Sequence, residues 1–131
     1  MFRMIIISML LVFMVACARQ APPEDVDKAS ALFFQRLNDA EYDTIYNDAS
    51  SQFKKNQSRD VVVESLKELI AKGRIQDYKR INTTYKDQDK QRIAAPVYST
   101  LFEQSKGELS LTFIDEGGEW KLIAFALRPR S

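Results

Sequence analysis

The sequence predicts an α+β domain in which three N-terminal helices pack on a curved, four-stranded antiparallel sheet. Apolar residues recur at helical spacing up to Gly73, and apolar and polar residues alternate after it. Helices followed by a run of strands are typical of α+β architecture. A length of 131 residues, 45% of them hydrophobic, suits one globular domain with a single core.

Three predicted helices follow one another, each with an apolar stripe at helical spacing. The first begins at Glu24. The second follows Asn38-Asp39, which suit an N-cap, and its polar stretch favours an end near Asp48. The third lies between the cap residue Ser58 and Gly73. The three stripes are Val26, Ala29, Phe33, Leu37 and Ala40; Tyr42, Ile45, Tyr46, Ala49 and Phe53; and Val62, Leu66 and Leu69.

Four strands are predicted at residues 76–85, 91–102, 109–113 and 120–127. Asp115-Glu116-Gly117-Gly118 is a strong hairpin signal before the last strand. That strand is apolar on both faces except for Lys121, so we expect it to be central or covered on both sides. Residues 128–131 are expected to be a frayed end. The side chains expected to line the space between helices and sheet are Ile93, Ala95, Val97, Leu109, Leu111, Phe113, Ile123 and Phe125.

Residues 1–16 have the parts of a secretory signal peptide. Arg3 precedes residues 4–15, which are apolar except for Ser8. As a helix this run would span about 18 Å, too short for a hydrocarbon core of about 30 Å. A charged start, a short apolar run and a small residue before the break are typical of export signals.

Met14-Val15-Ala16-Cys17 resembles the bacterial lipobox. The resemblance implies cleavage between Ala16 and Cys17 and a thioether-linked diacylglycerol on Cys17, which would hold the protein at a membrane through its acyl chains. An uncleaved signal anchor, or an ordinary signal with an incidental cysteine, are the alternatives. In a Gram-negative cell, Ala18 in place of Asp favours the outer membrane. Residues 17–23 would then be the lipidated cysteine and a short tether, and residues 24–131 the domain.

Charge and composition exclude several classes of function. Arg3 leaves with the signal, so the 19 basic residues become 18 and balance the 18 acidic ones. A neutral domain gives no electrostatic case for nucleic-acid binding. The chain has no histidine and one cysteine, which excludes an intrachain disulfide and argues against a zinc site. We expect no metal and no cofactor.

Three stretches of the mature chain resemble small secreted or lipid-anchored bacterial domains of the cystatin-like, nuclear transport factor 2-like superfamily. They are residues 31–46, with the pair of tyrosines Tyr42 and Tyr46; residues 49–54; and the closing residues 117–123 around Trp120. The resemblance implies a cone-shaped fold with a pocket between helices and sheet. Some members use this pocket for catalysis and others bind partners.

The sequence argues against catalysis. Enzymatic members of that superfamily, such as ketosteroid isomerase-like proteins, use a pocket Asp base. Here the carboxylates fall in turns or on exposed helix faces, so we predict no buried Asp or Glu beside a Tyr hydroxyl in the largest cavity. Glu103 and Glu108 would be the exceptions, because a one-residue shift of register would turn them inward beside Tyr98. We expect Tyr42, Tyr46 and Trp120 to be core residues, and the basic clusters around Lys54 and Lys79 to be solvated.

These observations predict a non-enzymatic, lipid-anchored envelope protein whose domain binds another envelope protein. Two alternatives stay open. In the first, the protein takes a small apolar ligand into the cone, as a binding protein or as an enzyme. In the second, it is a scaffold subunit of a secretion machine, since periplasmic components of type IV secretion systems also have cone-shaped domains. The sequence identifies neither partner nor ligand.

Overall fold

The computed structural model describes residues 20–130 and confirms the α+β fold, with its helices preceding a four-stranded antiparallel sheet. The predicted signal peptide and the lipidation site Cys17 lie outside the described residues. Within residues 20–130 no helix is both long and apolar enough to span a membrane. The elements are α1 (Asp25–Asn38), α2 (Tyr42–Asp48), α3 (Ser51–Asn56), α4 (Arg59–Ile70), β1 (Ile75–Gln88), β2 (Gln91–Phe102), β3 (Lys106–Glu116) and β4 (Glu119–Arg130).

The second predicted helix is divided into α2 and α3. It ends at Asp48, as its polar stretch favoured, and Ser50 begins a new helix by accepting a hydrogen bond from the Phe53 N–H at 3.0 Å. A buried serine with this cap geometry explains the break, because its side chain satisfies one free N–H of α3. The fold therefore has four helices in its described part where three were predicted.

Of the other helix ends predicted from the sequence, those of α4 are confirmed and the N-cap at Asn38 is not. Ser58 caps α4 through the Val61 N–H, and Gly73 follows the helix with a φ of 102°. Both were predicted. Asn38, in contrast, caps nothing: its side-chain amide bonds the N–H and C=O of Ile75 at 2.8 and 2.9 Å. It joins the end of α1 to the start of β1, so the predicted N-cap is wrong.

The sheet is a meander in the order β1-β2-β3-β4. Gly117 and Gly118 both have positive φ in the β3–β4 turn, as the hairpin signal predicted, and Asp89 and Lys90 do so in the β1–β2 turn. The prediction that β4 is central or covered on both sides is wrong, because β4 is an edge strand and Ala124 and Ala126 are exposed on one of its faces. It also continues to Arg130, so residues 128–130 are strand and not a frayed end.

Three irregularities cross the sheet at nearly one height. At this height β1 and β4 each hold an extra residue, Ile81 and Ile123, and β1 holds a further one, Gln76, near its start. On β2, Pro96 has no N–H to donate, and the pairing of β2 with β3 is interrupted at Ala95 and Pro96. Bulges and strand prolines bend the strands that carry them. They account for the curvature that the sequence predicted.

The core lies between the helices and one face of the sheet, and β2 presents the face opposite to the predicted one. Ile93, Ala95 and Val97 are half-buried on the uncovered face. The face of β2 in the core consists of Ala94, Pro96, Tyr98, Thr100 and Phe102. Both faces of β2 carry apolar residues, and a shift of one residue exchanges them. The large rings of Tyr98 and Phe102 bury more apolar area than the residues predicted.

The predicted lining is correct on β3 and partly wrong on β4. Leu109, Leu111 and Phe113 are all buried in the core. On β4 the bulge at Ile123 shifts the register, so Leu122 is buried in its place. Phe125 is half-buried and packs on Phe33 of α1, with ring centroids 6.0 Å apart.

Candidate functional site

A cavity of about 310 Å³ opens between α1, α2 and the start of β4. Its apolar wall comprises Leu32, Phe33, Ile45, Phe113, Trp120 and Leu122. We call it the α1–β4 cavity. It is at the small end of the range for ligand pockets, about 300–1,000 Å³, and its wall suits a small apolar molecule.

Two ion pairs line the α1–β4 cavity. Arg36 lies 2.7 Å from Asp48, which ties α1 to the end of α2, and Lys121 lies 3.1 Å from Glu119. Both carboxylates are more than half exposed, and no tyrosine belongs to the described lining. Exposed carboxylates that are paired with cations lack the desolvated setting of a pocket general base. A somewhat larger groove beside α1 and β1 is lined by Asp39 and Tyr78, and there too the carboxylate is exposed.

The predicted exceptions do not approach Tyr98. Glu103 is exposed in the β2–β3 turn, and Glu108 pairs with Arg130 of β4. The residue opposite Tyr98 on β3 is Leu109, so Glu108 points to the other face of the sheet.

A carboxylate that sequence reasoning missed does contact Tyr98. The Tyr98 hydroxyl donates to Asp27 Oδ1 at 2.9 Å, and Arg80 donates to Asp27 Oδ2 at 2.7 Å. Burial raises the pKa of Tyr98 well above its ordinary value, and the charge of Asp27 acts in the same direction. Asp27 is half exposed and lines none of the cavities described above. The cluster joins α1 to β1 and β2, and no local pattern signals a contact across 71 residues.

The remaining aromatic candidates are core residues, as predicted. Trp120 is buried, and the rings of Tyr42 and Tyr46 pack against the core from its margin. The Tyr46 hydroxyl reaches the rim and donates to the carbonyl of Gln57 at 3.0 Å. Of the basic side chains, Lys54 bonds a backbone carbonyl and Arg59 pairs with two aspartates, and both are exposed.

The outer side of β1 is the most exposed regular element. The strand has fourteen residues, and within residues 20–130 its only strand neighbour is β2. Tyr78, Ile81 and Tyr85 are exposed by 38, 48 and 48%. Edge strands with free backbone groups and apolar side chains accept added strands. We call this surface, formed by the free edge of β1 and these three side chains, the β1 edge.

The start of the described chain is fixed to the domain. Ala21 is fully buried; its N–H donates to Asp115 Oδ2 at 2.9 Å and its carbonyl accepts from Arg92 at 3.0 Å. Trp120 Nε1 donates to the carbonyl of Pro22 at 2.8 Å. We call Asp115, Arg92 and Trp120 the N-terminal clamp. Residues 21–23, which we expected to be part of the tether, are therefore part of the folded domain.

The chain matches no protein-family model and no curated protein. Among the described residues, no group of three or more metal-ligating side chains of the Asp, Glu, Cys and His type comes together.

Proposed function

We propose that this protein is a lipid-anchored component of a bacterial envelope, exported and held by acyl chains on Cys17, whose domain binds another envelope protein without catalysis. The observation that carries partner binding is the β1 edge. The proposal of an anchor rests on residues 14–17 of the sequence. The fold is compatible with the nuclear transport factor 2-like relationship, which we propose on the sequence motifs named above.

The β1 edge suits an extended segment of a partner protein. A strand added to β1 would bond its free N–H and C=O groups, and the exposed parts of the Tyr78, Ile81 and Tyr85 side chains would supply apolar contacts. Lys79 and Lys86, exposed on the same strand, are typical of edges protected against self-association. Such protection favours a specific partner over aggregation.

Photo-crosslinking in intact cells of the source organism tests partner binding. A photoreactive amino acid replaces Ile81 on the β1 edge or, as the control, Val61, which is exposed by 57% on α4. We expect a discrete protein adduct from position 81 and none from position 61. Equal adducts from both positions, or none from either, would contradict binding at the β1 edge. The identity of the attached protein also tests the secretion-scaffold alternative.

The anchor has its own test. Cys17→Ser removes the thiol that the lipobox resemblance assigns to lipidation, so metabolic labelling with palmitate should disappear and the precursor should stay uncleaved. A substitution of Ser8, which lies inside the apolar run, by alanine is the control and should leave labelling intact. Equal palmitate labelling of the Cys17→Ser protein would refute the anchor.

The α1–β4 cavity supports a second candidate function, binding of a small apolar molecule. Its wall is apolar and its volume is about 310 Å³. Native mass spectrometry of the purified domain tests it. A stoichiometric ligand that is lost in Ala29→Leu, which adds volume to the lining, would favour this function. A bare mass in every preparation would contradict it.

A further inference from the structure

The N-terminal clamp determines which end of the domain lies near the anchor. Adjacent strands of the meander run in opposite directions, so the β1–β2 and β3–β4 turns lie at one end of the sheet and the β2–β3 turn at the other. Arg92 follows the first of these turns, and Asp115 and Trp120 flank the second. We call this end, with residues 88–91 and 116–119 at its tips, the clamp end. The β2–β3 turn at residues 103–105 marks the far end.

The chain between anchor and clamp is short. Residues 18–20 are all that separate Cys17 from Ala21, so four Cα–Cα steps span at most about 14 Å. A twelve-residue strand such as β2 extends about 40 Å. Had residues 21–23 been free, as the sequence suggested, the reach would have grown by about 10 Å. The clamp removes that freedom.

We propose that the clamp end rests on the lipid headgroups of the membrane and that the far end points away from it. This proposal rests on lipidation of Cys17. The tips of both turns lie beyond the residues that hold Ala21, so they are the parts of the domain that first meet a surface within reach of the tether.

The charge at the clamp end specifies the kind of lipid surface. Residues 86–92 and 115–121, which form the two turns and their flanks, carry five carboxylates and four cations, and Glu119 pairs with Lys121. The remaining excess of one negative charge is repelled by anionic lipid and is indifferent to zwitterionic lipid. The occupant of this end is therefore a zwitterionic headgroup layer.

Energy transfer from the domain to the bilayer tests the orientation. The full-length lipidated protein is reconstituted into phosphatidylcholine vesicles that contain an acceptor dye on the headgroup. A donor dye is attached at Gln88→Cys, at the clamp end, or at Gln104→Cys, the matched position at the far end; both glutamines are exposed. Lipidated Cys17 has no free thiol, so only the introduced cysteine reacts.

We expect at least twofold higher transfer efficiency from position 88 than from position 104. Insertion of ten Gly and Ser residues between Gln20 and Ala21 should abolish most of the difference, because a flexible linker of that length reaches about 17 Å further. Replacing a third of the lipid by phosphatidylglycerol should lower transfer from position 88 at low salt and leave it unchanged at high salt.

Two different results would refute the proposed orientation alone and the lipid anchor on Cys17. Equal transfer from both positions in protein that floats with the vesicles refutes the orientation alone. Protein whose Cys17 reacts with the dye, and which stays out of the vesicle layer, refutes the anchor and the orientation with it.

Discussion

Trp120 joins three parts of the domain through one side chain. Its ring belongs to the core, its Nε1 bonds Pro22, and Arg92 lies over the ring at 5.4 Å from the centroid. We expect Trp120→Ala to lower the free energy of unfolding by about 3–5 kcal/mol, through lost burial and the cavity left behind. Urea unfolding measures this. Trp120→Phe, the control, keeps most of the apolar volume and should cost less, and equal midpoints for wild type and Trp120→Ala would show that the ring contributes nothing to the core.

The raised pKa of Tyr98 predicts that the folded protein loses stability at alkaline pH. Its pKa in the folded protein is raised above the ordinary value of about 10, so folding favours the neutral phenol. The resulting contribution to the free energy of unfolding is fully present below pH 10. It is lost above that pH as the unfolded chain ionises, by up to about 1.4 kcal/mol per pH unit until the folded pKa is reached.

Tyr98→Phe isolates this effect, since the two proteins share every other titrating group. We expect the difference in free energy of unfolding between wild type and Tyr98→Phe to be constant from pH 7 to 9 and to decrease above pH 10. A difference that stays constant to pH 11 would contradict a raised pKa.

At the scale of elements, the two serine caps differ in burial. Ser50 is fully buried, and its backbone N–H also bonds the Leu122 carbonyl on β4 at 3.0 Å, whereas Ser58 is exposed. Cap removal costs about 0.5–2 kcal/mol. We expect Ser50→Ala to fall near the upper value, because the Phe53 N–H loses its partner away from water, and Ser58→Ala near the lower one. Urea midpoints of the two variants check the order, and a reversed order would contradict the argument from burial.

At the scale of the whole molecule, the domain begins earlier than the helical pattern indicates. A chain shortened to begin at Gln20 keeps the N-terminal clamp, and one shortened to begin at Glu24 loses it. Three hydrogen bonds at about 0.5–1.5 kcal/mol each predict that the second chain is about 2–4 kcal/mol less stable. Thermal or urea unfolding of both chains measures the difference. Identical midpoints would show that residues 21–23 belong to the tether after all.

Local patterns in the sequence determined the fold class, the order of elements, the turn at Gly117-Gly118 and the limits of α4. Each depends on residues within a few positions of one another, where periodicity, cap chemistry and backbone preference act directly. The burial of Trp120 was also predictable, because a large ring on an otherwise apolar strand has few other places to go.

Only the tertiary structure decided which face of β2 enters the core, that β4 is an edge strand, and that Asp27 meets Tyr98. β2 and β4 are apolar on both faces, so periodicity does not choose between the two orientations or between a central and an edge position. The contacts of Asp27 with Tyr98 and of Ala21 with Asp115 join residues 71 and 94 positions apart. Such contacts form because the packed helices and sheet bring distant side chains together, and no short stretch of sequence carries that information.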